Sequence, residues 1–244
     1  MKLSVCMATR NGERFIGEQL ASILSQLGPD DELIISDDSS TDRTVAIIRD
    51  FADPRLRLLE GGAFYSPIFN FENALRHATG GIIALSDQDD IWLPNKVAVI
   101  RTLFNNRPGA IYLVVMDGTV IDETGREIAP SIFGCMRRSG PGVARNIFDN
   151  SYIGCSMAFS RELLDIALPF PRKIPMHDVW LGILAEIFGT TVFVPEKAVC
   201  YRKHGASMTD FGIRFIPWTQ IKRRWFLSWY LFVRWVSVTT RQGH

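Results

Sequence analysis

The sequence predicts an α/β fold: a mostly parallel sheet flanked by helices, then a mixed second half and an amphipathic helical tail. Short apolar segments alternate with segments of helical spacing about 25 residues apart, which favours strands joined by crossover helices. Acidic residues follow several apolar segments, at the strand ends where open α/β sheets bind ligands. Near residue 212 the composition changes, and aromatic and basic residues dominate what remains.

The first hundred residues contain four predicted strands and three predicted helices in alternation. Each predicted strand is short and nearly continuous in apolar or small residues, as in a sheet covered on both faces. The strands are residues 2–8, 31–38, 56–62 and 81–87, and the helices are residues 14–26, 39–52 and 66–80. Ser39, Ser40 and Thr41 are candidate N-caps of the second helix. The polar residues after the strands are therefore expected at one edge of the sheet.

The second half mixes its elements. Residues 109–128 are typical of a strand and a hairpin, and residues 150–171 of a strand followed by a helix. Residues 175–189 predict an amphipathic helix that opens with an acid, and residues 190–205 a pair of strands. This half is expected to hold a second substrate.

The tail is unusually rich in tryptophan and basic residues. At helical spacing one face carries Trp218, Ile221, Trp225, Trp229 and Phe232. Tryptophan and cations favour the membrane interface, and Arg234 interrupts an apolar run already too short to span, so a helix in the plane of the membrane is predicted. The alternative is a helix packed on the domain or on a second subunit.

Composition excludes several classes of protein. The 244 residues are 47% hydrophobic and 22% charged, which suits a globular enzyme and not a disordered chain. A formal net charge of +1 offers no general attraction for nucleic acid. The four cysteines lack metal-ligand spacing and indicate reduced thiols of a cytosolic protein. We expect neither a signal peptide nor a membrane span.

Three carboxylates, Asp87, Asp89 and Asp90, fall within four positions after the fourth strand and require a counter-charge. A Mg²⁺ or Mn²⁺ ion bound to a diphosphate supplies one, because these cations prefer carboxylate and phosphate oxygens. Capping of the next helix explains one of the acids but not three. Asp37 and Asp38 end the second strand; one can cap a helix, and one can accept a hydrogen bond from the imide N–H of uracil or thymine.

Six segments occur in an order that is similar to one known family. They are MATRNGERFIGEQLASILSQ, IISDDSSTDRT, NFENAL, LSDQDDIWLPNKV, MHDVWLG and YRKHGAS. Together, from residue 2 to about residue 210, they resemble the family 2 inverting glycosyltransferases of the GT-A, Rossmann-like fold, and among these the rhamnosyltransferase-like branch. The resemblance implies one domain, residues 1–212, whose residues 1–100 bind the nucleotide sugar and whose residues 101–212 bind the acceptor, followed by a membrane-associating tail at 213–244.

The resemblance also implies roles on the donor side. Asp89 matches a metal ligand, and Asp87 matches a contact to the ribose or to the waters of the metal. Thr9 and Asp37 match positions that contact the nucleotide base. The other positions implied to bind the nucleotide sugar are Arg10, Asn11, Asp38, Asn70 and Gln88.

On the acceptor side, Asp178 matches the acidic catalytic base. An inverting transfer needs a group that takes the proton of the acceptor hydroxyl, and a desolvated carboxylate with a raised pKa suits this role. The alternative is an N-cap aspartate beside a packing histidine, His177. His177 and Trp180 are expected in the region where donor and acceptor meet.

The YRKHGAS segment implies a loop over the donor. His204 is expected to reach the metal or the diphosphate, and Arg202 and Lys203 to neutralise the leaving diphosphate. The alternative is an exposed turn, which Gly205, Ser207 and Thr209 would also form.

The combined expectation is a metal-dependent enzyme that transfers a sugar from a nucleotide diphosphate to a hydroxyl of a lipid-linked or surface polysaccharide. The branch implies dTDP-L-rhamnose, with UDP- and GDP-sugars as alternatives because a fold does not determine its substrate. A sugar-1-phosphate nucleotidylyltransferase would need a Gly-rich loop that ATRNGERF lacks. A non-catalytic membrane-docked nucleotide-sugar-binding module is the other alternative. The expected location is cytoplasmic, at the inner face of the bacterial cell membrane.

Overall fold

One mixed sheet organises the computed structural model of the protein. The structure describes residues 1–105, 107–136, 138–205 and 218–242, with the backbone alone for 218–223 and 241–242. Its strands are β1 (Leu3–Thr9), β2 (Glu32–Asp37), β3 (Leu56–Leu59), β4 (Ile82–Asp87), β5 (Ile91–Trp92), β6 (Tyr112–Ile121), β7 (Glu127–Ala129), β8 (Met157–Ser160) and β9 (Thr190–Arg202). Their order across the sheet is β3-β2-β1-β4-β8-β6-β9-β5, and β7 pairs with β6.

Helices cover both faces of this sheet. They are α1 (Ile16–Leu24), α2 (Thr44–Asp50), α3 (Pro67–His77), α4 (Lys96–Phe104), α5 (Ile132–Cys135), α6 (Val143–Phe148), α7 (Arg161–Ala167), α8 (His177–Phe188) and α9 (Trp218–Gln242). A short 3-10 turn at Gly154–Ser156 precedes β8. One apolar cluster joins α1, α2 and α4 to the sheet, and a second joins α3, α7, α8 and α9 to the other face.

The first half of the sheet is parallel, as predicted. β1 lies between β2 and β4 and is parallel to both, and β2 is parallel to β3. The register places Thr9 opposite Asp37 and Ala8 opposite Asp87, so the carboxyl ends of three strands meet at one edge. The sequence prediction that polar residues gather there is confirmed.

The second half is mixed, also as predicted. β8 runs antiparallel to both β4 and β6, whereas β6 and β9 are parallel. The predicted hairpin is present as β6 and β7. β5 pairs with β9 in antiparallel register, which brings the chain just after the acidic segment against Cys200 and Val199.

The strand pair predicted at 190–205 is a single strand, β9. Its register against β6 shifts after Met116, whose partner is Val194, and the next pair joins Asp117 to Lys197. Pro195 therefore lies in a bulge, where its missing N–H removes no ladder hydrogen bond. A proline that predicts a turn in the sequence marks an irregularity of one strand in the structure.

The tail forms the long helix α9, which packs on the domain through one face. Leu227 and Leu231 are buried in the second apolar cluster, and Val238 is buried further along the same side. The Arg234 guanidinium donates hydrogen bonds of 2.6 and 2.8 Å to the carbonyls of Ile166 and Leu168 at the end of α7. Cations at helix carboxyl ends are stabilising, so this contact holds α9 to α7.

The opposite face of α9 stays apolar and exposed. Trp225, Trp229 and Phe232 are each more than half exposed, and Trp235 is 47% exposed. The side chains of Trp218 and Ile221, and the predicted domain boundary at residue 212, lie outside the described residues. One face of the tail therefore packs on the domain, as the alternative predicts, while contact of the exposed face with a membrane stays a prediction. None of the described helices is long and apolar enough to cross a membrane.

Candidate active site

Hydrogen bonds join the ends of β1 and β2, where the sequence predicts contacts to the nucleotide base. The Thr9 hydroxyl donates to Asp37 Oδ2 at 3.0 Å, and the Ser40 N–H and hydroxyl donate to Asp37 at 2.9 and 2.5 Å. These three bonds leave the buried carboxylate one further acceptor position, since a carboxylate offers about four. Asp37 can therefore hold its own loop and still accept one N–H from a base.

Asp38 and Asn70 stabilise the backbone around this pair. Asp38 Oδ1 accepts the backbone N–H of Phe64 at 2.6 Å, which fixes the segment before α3. Asn70 Nδ2 donates to the carbonyl of Thr9 at 3.1 Å, while its buried Oδ1 has no hydrogen-bond partner among the described residues. A buried amide oxygen without a partner is costly unless a ligand donates to it, so Asn70 fits the predicted contact to the nucleotide sugar.

The loop after β1 is tied to both of its neighbours. Gln88 accepts from the N–H of Arg10 at 2.9 Å and donates to its carbonyl at 3.1 Å. Asn11, in left-handed backbone conformation, accepts from the N–H of Thr41 at 2.8 Å. A side chain at Gly12 would overlap the Gln88 amide. Gln88 and Asn11 thus join the loops that surround the predicted nucleotide position.

A buried lysine provides part of the counter-charge that the acidic segment requires. Lys96, at the start of α4, is fully buried; its ammonium donates to the carbonyl of Cys155 at 2.5 Å and lies 4.1 Å from the centre of the Trp92 ring. Burial lowers the pKa of Lys96 to about 8, while the charges around it, Asp90 and Asp87 among them, oppose that shift. The lysine is therefore an internal cation beside two carboxyl groups.

Burial has the opposite effect on the two acids. It raises the pKa of Asp90 to about 7, with the negative charge of Asp89 adding to the shift. Burial also raises the pKa of Asp87 well above its usual range. The negative charges of Asp90, Asp89 and Asp178 raise it further, in that order of effect. Asp90 Oδ1 accepts the N–H of Arg202 at 2.8 Å, whereas its Oδ2 is buried with no partner in the described part of the chain.

Asp89 lies closer to solvent and pairs with the predicted loop histidine. His204 Nε2 is 2.8 Å from Asp89 Oδ2, and the imidazole packs on the Phe15 ring at 5.2 Å. Both side chains are partly exposed. The structure therefore brings together the two residues that the sequence predicts as metal ligands.

Arg202 holds the backbone of the acidic segment in place. Its guanidinium is buried, donates to the carbonyl of Asp89 at 2.8 Å, forms an ion pair of 2.6 Å with Glu18, and lies over the Phe15 ring. Lys203 follows with an exposed side chain, and its N–H donates to a carbonyl of β6. The predicted role of both cations at a leaving diphosphate stays a prediction, and for Arg202 the structure adds a supporting role.

Asp178 lies in the first turn of α8 and is nearly fully buried. Its Oδ1 accepts the N–H of Val179 at 2.6 Å, and Asn150 and Gly154 also donate to the carboxyl group. Burial outweighs these bonds and raises its pKa to about 7. The negative charge of Asp178 contributes to the raised pKa of Asp87, so these two carboxyl groups lie within electrostatic reach of each other.

The two neighbours of Asp178 in the motif belong to the core. The His177 ring stacks on Phe71 at 4.2 Å, burial lowers its pKa to about 3, and neither ring nitrogen has a hydrogen-bond partner among the described residues. Trp180 is fully buried, and its indole N–H donates to the carbonyl of Ala167 at 3.0 Å. The structure therefore places His177 as a packing residue. It does not bring Trp180 to the acidic segment, because α8 turns that side chain towards α7.

One known family matches most of the chain. The model of "Glycosyl transferase family 2" matches residues 4–165. The chain belongs to this family. The predicted glycosyltransferase identity is thereby confirmed.

Two bacterial relatives match most of this family 2 glycosyltransferase. "dTDP-rhamnosyl transferase RfbG" of Shigella flexneri is 39% identical over 237 residues, covering 86% of this chain and 75% of the relative. "UDP-Glc:alpha-D-GlcNAc-diphosphoundecaprenol beta-1,3-glucosyltransferase WfgD" of Escherichia coli is 28% identical, covering 91% and 83%. The two names specify different donors.

Solved structures confirm the GT-A fold. Residues 1–349 of S. aureus TarS in complex with UDP-GlcNAc superpose with a TM-score of 0.67 at 20% identity, covering 85% of this chain and 60% of that chain. The mannosyltransferase PcManGT of Pyrobaculum calidifontis, in complex with GDP-Man and Mn²⁺, gives a TM-score of 0.60 at 21% identity, covering 79% and 54%. At these identities the likeness shows the fold alone.

Sequence reasoning about this family 2 enzyme missed Lys96, the buried cation. A signal was present, since Lys96, Ile100 and Phe104 share one stripe of α4 and the other two are apolar. Glu18, the ion-pair partner of Arg202, had no comparable signal because the two residues are 184 positions apart.

Proposed function

We propose that this family 2 enzyme transfers a sugar, with inversion, from a nucleoside diphosphate to a hydroxyl of a lipid-linked or surface glycan. The observation that carries the proposal is the position of Asp178: Gly154 donates a hydrogen bond to its carboxyl group, and the turn at Gly154–Ser156 packs on β4, the strand that ends at Asp87. A base with a pKa of about 7 lies within electrostatic reach of Asp87, where the resemblance expects the donor. Single displacement requires a proton acceptor beside the acceptor hydroxyl, across the anomeric carbon from the departing diphosphate.

Asp178 takes the proton of the acceptor hydroxyl as that oxygen attacks the anomeric carbon. The bond from the anomeric carbon to the diphosphate breaks in the same step, and its electron pair leaves with the diphosphate. A carboxylate at the start of α8 is held in place by Val179, Asn150 and Gly154, so its geometry does not depend on the ligand. His177 is neutral and acts through packing.

A divalent cation, Mg²⁺ or Mn²⁺, fits the residues present. Asp89 and His204 offer an oxygen and a nitrogen 2.8 Å apart at the partly exposed rim, and Asp87 adds a nearby carboxyl group. When bound, the cation neutralises charge on the leaving diphosphate. The buried group of Asp87, Asp90 and Cys155 is a poorer match, since a thiol is a soft ligand and Lys96 already supplies a cation there.

The donor is proposed to be a pyrimidine nucleoside diphosphate sugar, with dTDP-L-rhamnose first and UDP-sugars second. Asp37 retains one acceptor position for an imide N–H, which thymine and uracil both offer. The name of RfbG includes dTDP-rhamnosyl and that of WfgD includes UDP-Glc, and RfbG is the more identical of the two. A GDP-sugar remains the alternative.

The acceptor is proposed to be lipid-linked, and the enzyme to work at the inner surface of the cell membrane. WfgD is named for a diphosphoundecaprenol-linked acceptor. The exposed aromatic side chains of α9 would contact such a surface. The residue range 213–244 as a membrane-associating tail is part of this proposal.

Calorimetric titration with dTDP, UDP, GDP and ADP, each with Mn²⁺ or with EDTA, tests the proposed donor site. We expect binding of dTDP or UDP that depends on the metal and weakens roughly ten-fold or more in Asp89→Asn, because a direct metal ligand is lost. Asp30→Asn removes a carboxylate from an exposed loop and is the matched control.

Two results would contradict the proposal. Metal-dependent binding of GDP alone would replace the pyrimidine donor by the alternative. Metal-independent binding, or no binding of any of the four, would favour a non-catalytic module.

A further inference from the structure

A cavity opens where α9 meets the catalytic domain. Its volume is about 360 Å³, within the range of small-molecule sites. Ser66, Ile68 and Phe69 line one wall, residues 172–174 a second, and Phe226 of α9 a third. This "α9 cavity" is assigned to no substrate by the donor site described above.

The charge of the α9 cavity suits an anion. Arg172 and Lys173 have exposed side chains, and Lys173 Nζ lies 4.4 Å from the centre of the Phe226 ring. Within the described part of the chain, neither cation forms an ion pair with a carboxylate. Two cations without acidic partners at a concave surface attract a multiply charged anion such as a diphosphate.

The wall of the cavity that α3 forms also favours binding of an anion. Ser66 is the N-cap residue of α3, and its hydroxyl makes no capping hydrogen bond. The first amide groups of an α-helix lack intrahelical acceptors and carry partial positive charge. This helix end adds to the two side-chain cations but does not by itself define the site.

The α9 cavity is close to the catalytic base. Ile174 lines the cavity, and Asp178 follows four residues later. Four residues of fully extended chain span at most about 14 Å, so the two backbones lie within that distance. The wall of the cavity that Ile174 forms is therefore close to the start of α8, which carries Asp178.

The other side of the α9 cavity continues into the exposed apolar face of α9. Phe226, Trp229 and Val233 follow one another at helical spacing of three and four residues, so they share one side of the helix. Trp229 and Val233 are exposed. An isoprenoid chain that leaves the cavity towards the C-terminus of α9 would meet the apolar side chains of Trp229 and Val233.

We propose that the α9 cavity binds the diphosphate head group of a lipid-linked acceptor, which holds the acceptor sugar near Asp178 and directs the lipid along α9. This inference rests on the proposed function, because it assumes a lipid-linked acceptor. Arg172 and Lys173 contact the diphosphate, Phe226 contacts the first isoprene unit, and Asp178 remains the base for the hydroxyl.

Farnesyl diphosphate, a short isoprenoid diphosphate, is the probe. It is titrated into the full chain in EDTA, where the metal-dependent donor site does not contribute. We expect Arg172→Gln/Lys173→Gln to weaken its binding about ten-fold or more, since each charge-assisted contact is strong. Arg57→Gln/Lys197→Gln removes the same charge from exposed positions outside the cavity and should change binding by less than about two-fold. Thermal unfolding confirms that both double variants are folded.

The kinetic readout separates this role from a general loss of activity. With a lipid-linked acceptor, the KM for the acceptor should rise in Arg172→Gln/Lys173→Gln, while metal-dependent binding of the nucleotide stays at the wild-type value. Equal affinity for farnesyl diphosphate in the double variant and in wild type would overturn the assignment. Equally tight, charge-dependent binding of dihexanoyl phosphatidylglycerol would also overturn it, in favour of a phospholipid head-group site.

The nucleotide titrations distinguish the two levels of proposal. If wild type binds a nucleotide with metal but not farnesyl diphosphate, the cavity assignment falls and the proposed function stands. If it binds farnesyl diphosphate in the cavity but no nucleotide under any condition, the diphosphate site stands and the donor-site proposal falls.

Discussion

Asp178 carries its carboxyl group at a desolvated position in α8, and burial raises its pKa to about 7. The same shift acts on catalysis and on stability with opposite signs. A base with this pKa is half ionised at neutral pH, where proton transfer is efficient. Because the native state holds this proton more tightly than the unfolded chain does, the stabilisation is complete below about pH 4 and is lost as the pH rises towards 7.

Asp178→Asn should therefore lower kcat/KM by roughly 10²–10⁴-fold and remove the rise of the wild-type rate between pH 6 and 8, since a carboxamide cannot accept the proton. At pH 8 the variant should unfold at higher urea concentration than wild type, because no buried charge remains. Initial rates and urea unfolding across pH 5–9 measure both effects. Asp165→Asn, an exposed acid on α7, is the control. A variant that keeps the wild-type pH profile would show that another group is the base.

A second prediction at the scale of single residues concerns the contribution of Lys96 to stability. Loss of the Lys96 ammonium leaves the Cys155 carbonyl without its donor and the buried Asp90 carboxylate without a nearby positive charge, so Lys96→Met should lower the free energy of unfolding by roughly 1–3 kcal/mol at pH 8. At pH 5.5 the loss should be smaller, because burial raises the pKa of Asp90 to about 7 and that carboxyl is then protonated.

Urea unfolding in EDTA at both pH values measures this difference. The double variant Lys96→Met/Asp90→Asn should recover part of the stability at pH 8, whereas the exposed control Lys197→Met should match wild type. An equal loss at both pH values, with no recovery in the double variant, would show that Lys96 acts by packing on Trp92 and not by charge.

At the scale of elements, local patterns predicted what local forces determine. β1, β2 and β4 are apolar on both faces and α8 has a helical apolar pattern, and all four lie where the sequence indicates. The acids at the strand ends followed from the same reasoning, because parallel strands share one carboxyl edge.

Long-range contacts set the limit of sequence reasoning. Ile91 and Trp92 follow directly after the acidic segment and form β5, since they pair with β9 more than a hundred residues later. In the sequence alone, Pro195 indicates a chain reversal between two strands. The structure shows instead a bulge within β9, opposite β6. Trp180 faces the core because α7 packs there, which the motif around it does not encode.

At the scale of the whole molecule, α9 connects its own exposed apolar face to α8, the helix that carries Asp178. The Arg234 guanidinium binds carbonyls at the end of α7 and lies 5.5 Å from the centre of the Trp180 ring in α8. Asp178 stands one half-turn before Trp180 in the same helix. A membrane that binds the exposed face of α9 would therefore lie at a fixed distance from Asp178, the proposed base, because α9 packs on α7 and α8.

Vesicle sedimentation tests this docking. The triple variant Trp225→Ser/Trp229→Ser/Phe232→Ser should bind vesicles containing anionic lipid at least roughly a hundred-fold more weakly, since each aromatic side chain buried at the interface contributes on the order of 1–2 kcal/mol. Tyr65→Ser/Ile128→Ser removes exposed apolar side chains elsewhere and should bind like wild type. Wild-type binding should fall with salt and be weaker on neutral vesicles, because α9 contains basic residues and no acidic ones. Unchanged binding in the triple variant, together with a change from dimer to monomer, would instead identify this face as a contact between two copies of the chain.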